Sequence, residues 1–248
     1  PAETVMAKET EHLANLEANL KKVVYGQDEA IEKVVDKIYV SHAGLKPDDK
    51  PIGSFVFMGP TGTGKTETAK QLASNLGVKL VRFDMSEYQE SHSVSRLVGA
   101  PPGYVGFDDA GQLTELVRRN PYSVVLFDEV EKAHPDVFNT LLQILEEGRL
   151  TDSQGRVVDF RNSVIILTSN LGSDKLSKQS IGFSSDAHAT ARADAAMREA
   201  AKKFFKPELL NRLDEIVVFS SLSPEVIDGI THKFLDALRQ RLVGSGIG

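Results

Sequence analysis

The stretch that decides the fold of this chain is Gly59-Pro60-Thr61-Gly62-Thr63-Gly64-Lys65-Thr66. It matches the phosphate-binding pattern G-x-x-x-x-G-K-[ST]. The apolar run Phe55–Met58 precedes it, and the helix-like run Glu67–Asn75 follows it. A strand, a glycine loop and a helix in this order predict that backbone N–H groups of the loop bind the phosphates of a nucleotide.

The last two residues of the loop carry side chains suited to the same task. Lys65 can reach the β- and γ-phosphates, and Thr66 offers a hydroxyl group to Mg²⁺. The sequence therefore predicts ATP and Mg²⁺ as cofactors. The competing interpretation is an ordinary glycine-rich turn, and the flanking strand and helix count against it.

Composition sets the broad class. The chain has 248 residues, of which 41% are hydrophobic and 26% charged, as in ordinary soluble domains. No stretch approaches the length needed to span a membrane, and we expect a cytoplasmic protein without a membrane partner. A net charge of −6 argues against a broad nucleic-acid-binding face, and the lack of cysteine excludes disulfides. Because the first residue is Pro1, we expect an excised fragment.

Five apolar runs alternate with helical patterns for most of the chain. Such alternation predicts an α/β fold with a doubly wound parallel sheet flanked by helices. The predicted strands are Ser54–Met58, Lys79–Phe83, Ser123–Phe127, Ser163–Leu167 and Ile216–Phe219.

Further elements are predicted outside the sheet. Helical spacing of leucines indicates a helix over residues 7–22, and another is expected over residues 28–40. Residues 148–160 have the pattern of a hairpin. Residues 177–193 are rich in Ser and Ala with little periodicity, which predicts a loop. A last helix is expected to begin at Ser223-Pro224 and to run to about residue 242.

Two carboxylates directly follow the third predicted strand. Asp128 and Glu129 come directly after Val124–Phe127, and ligands bind at the carboxyl ends of parallel strands. We expect Asp128 to hold Mg²⁺ through water and Glu129 to orient and polarise the attacking water. The alternative for the pair alone is a solvated acidic turn, and the phosphate loop upstream favours the functional interpretation.

A polar group also follows the fourth predicted strand. Asn170 follows Val164–Ser169 and can bond the γ-phosphate or the water. Asn is equally common in turns, and the pattern alone favours a turn before Leu171-Gly172.

Several longer strings resemble the second ATPase ring of the Clp family of AAA+ unfoldases, the group of ClpA, ClpC, ClpE and ClpB. The resemblance covers nearly the whole chain. The strings that carry it are Val24-Tyr25-Gly26-Gln27, Asp84-Met85-Ser86-Glu87-Tyr88, Gly99-Ala100-Pro101-Pro102-Gly103-Tyr104-Val105-Gly106, Asp128-Glu129-Val130-Glu131-Lys132-Ala133-His134 and Phe205-Lys206-Pro207-Glu208-Leu209-Leu210-Asn211-Arg212-Leu213-Asp214.

The resemblance implies roles for residues of the nucleotide site. Gly59–Thr66 and Asp128-Glu129 resemble the Walker A and Walker B motifs, and Val24-Tyr25 lies in the motif on the adenine side. Asn170 resembles sensor 1. Arg212 resembles the arginine finger that a neighbouring subunit supplies; without the resemblance, a surface arginine paired with Asp214 or Glu215 is the better interpretation.

Three further segments are implied to contact proteins. Tyr104-Val105, on a Gly- and Pro-flanked loop, resembles the axial pore loop that grips unfolded polypeptide, although a turn that returns its Tyr to the core is the commoner case. Residues 148–160 resemble the second pore loop. Ile181-Gly182-Phe183 resembles the tripeptide by which some members dock on the ClpP peptidase; the alternative is a loop pinned to its own core.

The resemblance implies a domain division. It gives a linker helix over residues 1–22, a large AAA+ ATPase domain over 23–221, and the truncated start of a small helical C-terminal lid over 222–248. The family's sensor 2 motif is not found in this sequence.

The function implied is an ATP-hydrolysing unfoldase that forms a homo-hexamer, threads unfolded or tagged protein through its pore and feeds ClpP. The alternatives are a ClpB-like disaggregase chaperone without a peptidase, a nucleic-acid-acting AAA+ ATPase, and a nucleotide-binding module without turnover.

Overall fold

A five-stranded parallel sheet forms the centre of the protein, as seen in a computed structural model that describes residues 13–100, 111–173 and 187–244. Every residue of its three inner strands is buried, which explains their continuous apolar runs. The strands of the sheet are β1 (Gly53–Met58), β2 (Lys79–Asp84), β3 (Ser123–Asp128), β6 (Ser163–Ser169) and β7 (Glu215–Val218).

The strand order is β2-β3-β6-β1-β7, and all neighbours are parallel. The predicted fold class is therefore confirmed, with strand boundaries displaced by at most two residues. This order places the carboxyl ends of β1, β3 and β6 side by side, so that the residues following them meet at one edge of the sheet.

Helices and short 3₁₀ turns connect the strands and cover both faces of the sheet. The turns are Met85–Tyr88 and Val130–Lys132. The helices are α1 (Leu16–Lys21), α2 (Asp28–His42), α3 (Lys65–Leu76), α4 (Ser91–Val98), α5 (Gln112–Arg119), α6 (Pro135–Glu147), α7 (Ala187–Phe204), α8 (Pro207–Leu210) and α9 (Pro224–Gly244).

Alternate side chains of each inner strand enter two separate hydrophobic cores. In β1, Phe55 and Phe57 pack on one side with helices α1, α2 and α3, whereas Val56 and Met58 pack on the other side with α6 and α7. Burial on both faces is what holds a parallel sheet of this kind, and it fixes the strand register.

The predicted hairpin is present as a separate two-stranded sheet. Strands β4 (Arg149–Thr151) and β5 (Val157–Asp159) pair antiparallel within residues 148–160. Leu150 and Val158 turn inward to the core, and Val157 is exposed.

One predicted loop is partly wrong. Residues 187–193, assigned to the loop 177–193, belong to α7. Alanine has the highest helix propensity but leaves no apolar stripe, so a helix rich in Ala lacks the periodicity by which the prediction was made.

The terminal segments agree with the predicted helices where they are described. Helix α1 lies within the expected residues 7–22, and α9 begins at Pro224 as expected. Helix α9 leaves apolar side chains uncovered, with Phe234 72% exposed. Within the described ranges, no helix combines the length and apolar character needed to cross a membrane.

Candidate nucleotide site

The phosphate loop connects β1 to α3 and depends on glycine at both ends. Gly59 has a φ of 156°, and a Cβ there would lie 2.5 Å from the carbonyl oxygen of Phe219. Gly64 precedes α3 with a φ of 104°. The first N–H groups of a helix have no intrahelical acceptor, so the loop delivers donors and the positive end of α3 to one point.

Lys65 is buried at this point. Its Nζ donates to the carbonyl oxygens of Gly59 (2.6 Å) and Pro60 (2.8 Å) and to Oδ1 of Asn170 (2.9 Å). Burial lowers the pKa of the Lys65 ammonium to about 8, and the negative charges of Glu131, Asp128 and Glu129 oppose this shift. The lysine is thus a desolvated cation held by weak acceptors, a state that a phosphate anion would relieve.

Asp128 ends β3 and is almost fully buried. Its Oδ2 accepts two bonds from Arg82, from Nε at 3.0 Å and from Nη2 at 2.6 Å, and its Oδ1 accepts from the Thr168 hydroxyl. Arg82 is nearly half exposed, so its guanidinium can leave the carboxylate by rotating into solvent.

Glu129 stands in an unusual backbone conformation. Its φ of 57° is the only positive value for a non-glycine residue in the part of the chain that the structure describes. Its N–H donates to the Thr168 hydroxyl at 3.0 Å, and its carboxylate accepts from Lys132 at 2.6 Å. Backbone strain of this kind, held by surrounding contacts, is typical of functional positions.

Asn170 connects the two sides of the site. Its Oδ1 accepts from Lys65, and its Nδ2 donates to Oε1 of Glu129 at 3.2 Å. The amide therefore links the lysine of the phosphate loop to the carboxylate at the end of β3. The interpretation of Asn170 as a turn residue alone does not account for these contacts.

These residues face one cavity of about 480 Å³. Its lining brings together most of the predicted nucleotide site, and adds Glu67, Lys70, Arg82 and Thr168. The predicted residues among the lining are Thr61, Gly62, Gly64, Lys65, Thr66, Asp128, Glu129 and Asn170.

The lining also fits Mg²⁺. Thr66 and Asp128 supply oxygen, the ligand that Mg²⁺ prefers. Among the residues described, no group of three or more His, Cys, Asp or Glu forms a cage for a metal ion. Mg²⁺ bound beside a nucleotide normally takes only one or two protein ligands together with phosphates and water, so two oxygens suffice.

The segment predicted on the adenine side packs behind the loop. Val24 is buried, with its Cγ1 3.1 Å from where a Cβ on Gly64 would lie. Tyr25 is partly exposed beneath the ammonium of Lys233 at 5.1 Å. Gln27 follows two residues later, and its Nε2 donates to the carbonyl oxygen of Thr63 at 3.0 Å and so holds the loop.

Arg212 lies outside this cavity. It follows α8, near the amino end of β7, with Nη1 bonded to the carbonyl oxygen of Glu208 and Nη2 to the carboxylate of Glu146, both at 2.8 Å. The partners expected for a surface arginine, Asp214 and Glu215, are therefore wrong. Asp214 instead accepts from Lys46 at 2.5 Å and from the Ser54 N–H at 2.8 Å, which ties this segment to the start of β1.

The segments predicted to contact proteins are only partly described. Tyr104-Val105 and Ile181-Gly182-Phe183 lie outside the described residues. The second predicted pore loop, residues 148–160, is described as the β4–β5 hairpin.

Arg82, Thr168 and Lys132 belong to the site but were not singled out by sequence reasoning. Thr168 had a local signal, because it lies near the carboxyl end of the strand that Asn170 follows. Arg82 and Lys132 are charged residues on exposed positions, and nothing in their spacing distinguishes them from solvated surface.

Comparison with protein families matches residues 50–216 to the family described as AAA domain (Cdc48 subfamily). The chain is 56% identical over 249 residues to the chaperone protein ClpB of Meiothermus ruber, covering 98% of this chain and 28% of that protein. It is 49% identical to the ClpA homolog protein of Fuscovulum blasticum, covering 100% of this chain and 30% of that protein.

A ClpB of Lactiplantibacillus plantarum is 53% identical, over 98% of this chain and 28% of its own length. The chain therefore spans less than a third of these relatives, which include both ClpB and ClpA types. The family and the motifs agree: this chain belongs to the AAA domain family and is an ATPase domain of the Clp type.

Proposed function

We propose that the cavity binds ATP with Mg²⁺ and that Glu129 directs its hydrolysis. The observation that carries this proposal is the chain of contacts from Lys65 through Asn170 to Glu129. In this chain of contacts the Lys65 ammonium and the Glu129 carboxylate lie on either side of one amide, an arrangement that supports alignment of water with a terminal phosphate.

Each residue then has a distinct task. Lys65 exchanges the loop carbonyls for phosphate oxygens, Asn170 holds the water or the terminal phosphate, and Glu129 orients the water and polarises it. Thr66 and Asp128 would hold Mg²⁺, which when bound neutralises charge on the phosphate oxygens. For this, Asp128 has to give up its bonds from Arg82.

Two substitutions separate binding from turnover. We expect Glu129→Gln to keep nucleotide affinity and to lose hydrolysis by about 10²-fold or more, because only the water-directing carboxylate changes. Lys65→Ala should weaken binding itself. Equilibrium titration with a fluorescent ATP analogue and steady-state phosphate release measure the two effects. The exposed Glu90→Gln is the control, and parental hydrolysis by Glu129→Gln would refute the assignment.

For the whole protein we propose an assembled ring, by resemblance a homo-hexamer in the cytoplasm, that threads unfolded or tagged protein through its pore. The position of Arg212 outside its own chain's cavity supports this, since an arginine finger acts on a neighbour's nucleotide. Tyr104 and Val105 would grip the substrate in such a ring. The domain division at residues 22 and 221 belongs to the same proposal.

Mixing experiments test the finger. An assembled protein with Arg212→Ala should bind ATP normally but hydrolyse it about 10³-fold more slowly. Adding subunits that carry Arg212 but lack Lys65 should restore part of the turnover, because each missing finger can come from the neighbour. Absence of any restoration, with mixed rings verified, would contradict action between subunits.

Tyr104→Ala tests the threading proposal. We expect it to leave most basal ATP hydrolysis intact and to impair unfolding of a tagged fluorescent protein. Phosphate release and loss of substrate fluorescence are followed in parallel. An equal loss of both activities would indicate a structural tyrosine.

Two outcomes are proposed for the threaded substrate. Delivery to ClpP rests on Ile181-Gly182-Phe183, and the ClpB relatives favour the second candidate, a disaggregase without a peptidase. Phe183→Ala should abolish ClpP-dependent degradation and leave ATP hydrolysis unchanged. If the parent never binds ClpP, the disaggregase function stands. A nucleic-acid substrate is disfavoured by the net charge of −6.

A further inference from the structure

Glu131 is a carboxylate at the site to which neither the motifs nor the proposed mechanism assigns a task. It lies in the 3₁₀ turn Val130–Lys132, directly after the strained Glu129. Val130 is fully buried in the core, so the turn is anchored on one side. Glu131 extends from the other side, toward the end of β6.

Its first oxygen holds the backbone of Asn170. Oε1 of Glu131 accepts from the Asn170 N–H at 3.0 Å. The β3–β6 ladder ends at the pair Phe127 and Leu167, so the N–H of Asn170 lies beyond the strand pairing. The Glu131 carboxylate therefore takes the place of a sheet partner for the Asn170 N–H.

The second oxygen has no hydrogen-bond partner. Oε2 of Glu131 is one of two buried side-chain polar atoms without a partner in the described part of the chain. A buried acceptor without a partner is costly and uncommon in folded proteins, so its presence at this site calls for an explanation. A glutamine in the same place would satisfy the Asn170 N–H equally well.

The contact between Glu131 and Asn170 is the first of two that lead to Glu129. Glu131 holds the backbone of Asn170, and the Asn170 side chain holds Oε1 of Glu129. The carbonyl oxygen of Asn170 is also bonded, by the N–H of Ser173 at 3.2 Å. When Lys65 leaves Asn170 for a phosphate, the backbone bonds remain and keep the amide in register.

We propose that Glu131 is a positioning residue for ATP hydrolysis, which through the Asn170 backbone holds the Asn170 amide against Glu129. The proposal rests on the proposed ATPase function. It states that the placement of Asn170 depends on the reach of the Glu131 acceptor, whereas the charge of Glu131 acts separately on Lys65.

Two near-isosteric variants separate reach from charge. Glu131→Gln keeps the length and an acceptor oxygen but removes the charge, whereas Glu131→Asp keeps the charge and withdraws the acceptor by one CH₂ group. In the assembled protein we expect Glu131→Asp and Glu131→Ala to lower kcat about 10- to 100-fold, since small misplacements at a reacting centre have effects of this size. Glu131→Gln should remain within about threefold of the parent.

Nucleotide affinity, KM and the thermal midpoint complete the test, with Glu90→Gln as the control. We expect Glu131→Asp to bind a fluorescent ATP analogue with the affinity of the parent. A general loss of structure would lower that affinity, so the measurement separates misplacement of Asn170 from unfolding. Glu131→Asp with parental kcat, or Glu131→Gln as impaired as Glu131→Asp, would overturn the proposal. Absence of turnover in the parent would instead refute the ATPase function, so the two failures are distinct.

Discussion

The lowered pKa of Lys65 predicts that this side chain makes the free energy of unfolding depend on pH. Burial lowers that pKa to about 8, against an unfolded value near 10.5. Between these values the folded chain binds fewer protons than the unfolded chain, so the free energy of unfolding contributed by Lys65 rises with pH. From pH 7 to pH 9 the linkage relation gives a gain of about 1.3 kcal/mol.

Comparison with Lys65→Met isolates this gain, because every other titrating group is shared. Urea unfolding of both chains without nucleotide, at pH 7 and pH 9, should show the difference between them change by about 1.3 kcal/mol in favour of the parent. The ¹³Cε resonance of Lys65 should titrate near pH 8, and saturating ATP should raise that pKa. A constant difference, with Lys65 titrating among the exposed lysines, would refute the reasoning.

Three further outcomes are expected. Asp214→Ala should lower the free energy of unfolding by about 2–3 kcal/mol, because it removes the carboxylate that accepts from both Lys46 and the Ser54 N–H. Chemical denaturation measures this, and a loss below about 0.5 kcal/mol would contradict it. Gly64→Ala should weaken ATP-analogue binding through its left-handed φ and its contact with Val24; unchanged affinity would argue against a rigid loop. Arg82→Gln should tighten Mg²⁺-dependent binding of an ATP analogue by removing the competing partner of Asp128. Titration with magnesium in the presence of the analogue measures this, and weaker binding than in the parent would contradict it.

The fold and the main site residues were predictable where the signal is local. The parallel sheet follows from apolar runs such as Val124–Phe127, whose buried strands have to alternate with helices. The phosphate loop and the Asp128-Glu129 pair follow from spacing alone. The family match confirms the class, and the roles of the individual residues stay predictions.

Contacts set by the register between strands were not predictable. Arg82 meets Asp128 because β2 and β3 pair with Asp84 opposite Asp128, across 46 residues of sequence. Glu131 likewise reaches Asn170 only because β3 and β6 are neighbours in the sheet. Periodicity identifies a strand but not its partner, and the helix over residues 187–193 lacked even periodicity because its helical tendency comes from alanine.

Strand β1 connects the phosphate loop to the segment that holds Arg212. At its carboxyl end it enters the phosphate loop at Gly59, and near its amino end Ser54 is bound to Asp214, two residues from Arg212. Six residues of buried strand span about 20 Å and stretch very little, because both neighbouring strands hold their backbone bonds. A displacement of the phosphate loop would therefore move β1 as a rigid unit and shift Asp214 and Arg212 with it. In the proposed ring, where Arg212 would act on the neighbouring subunit, a change at one nucleotide site would thus be transmitted over the length of one strand.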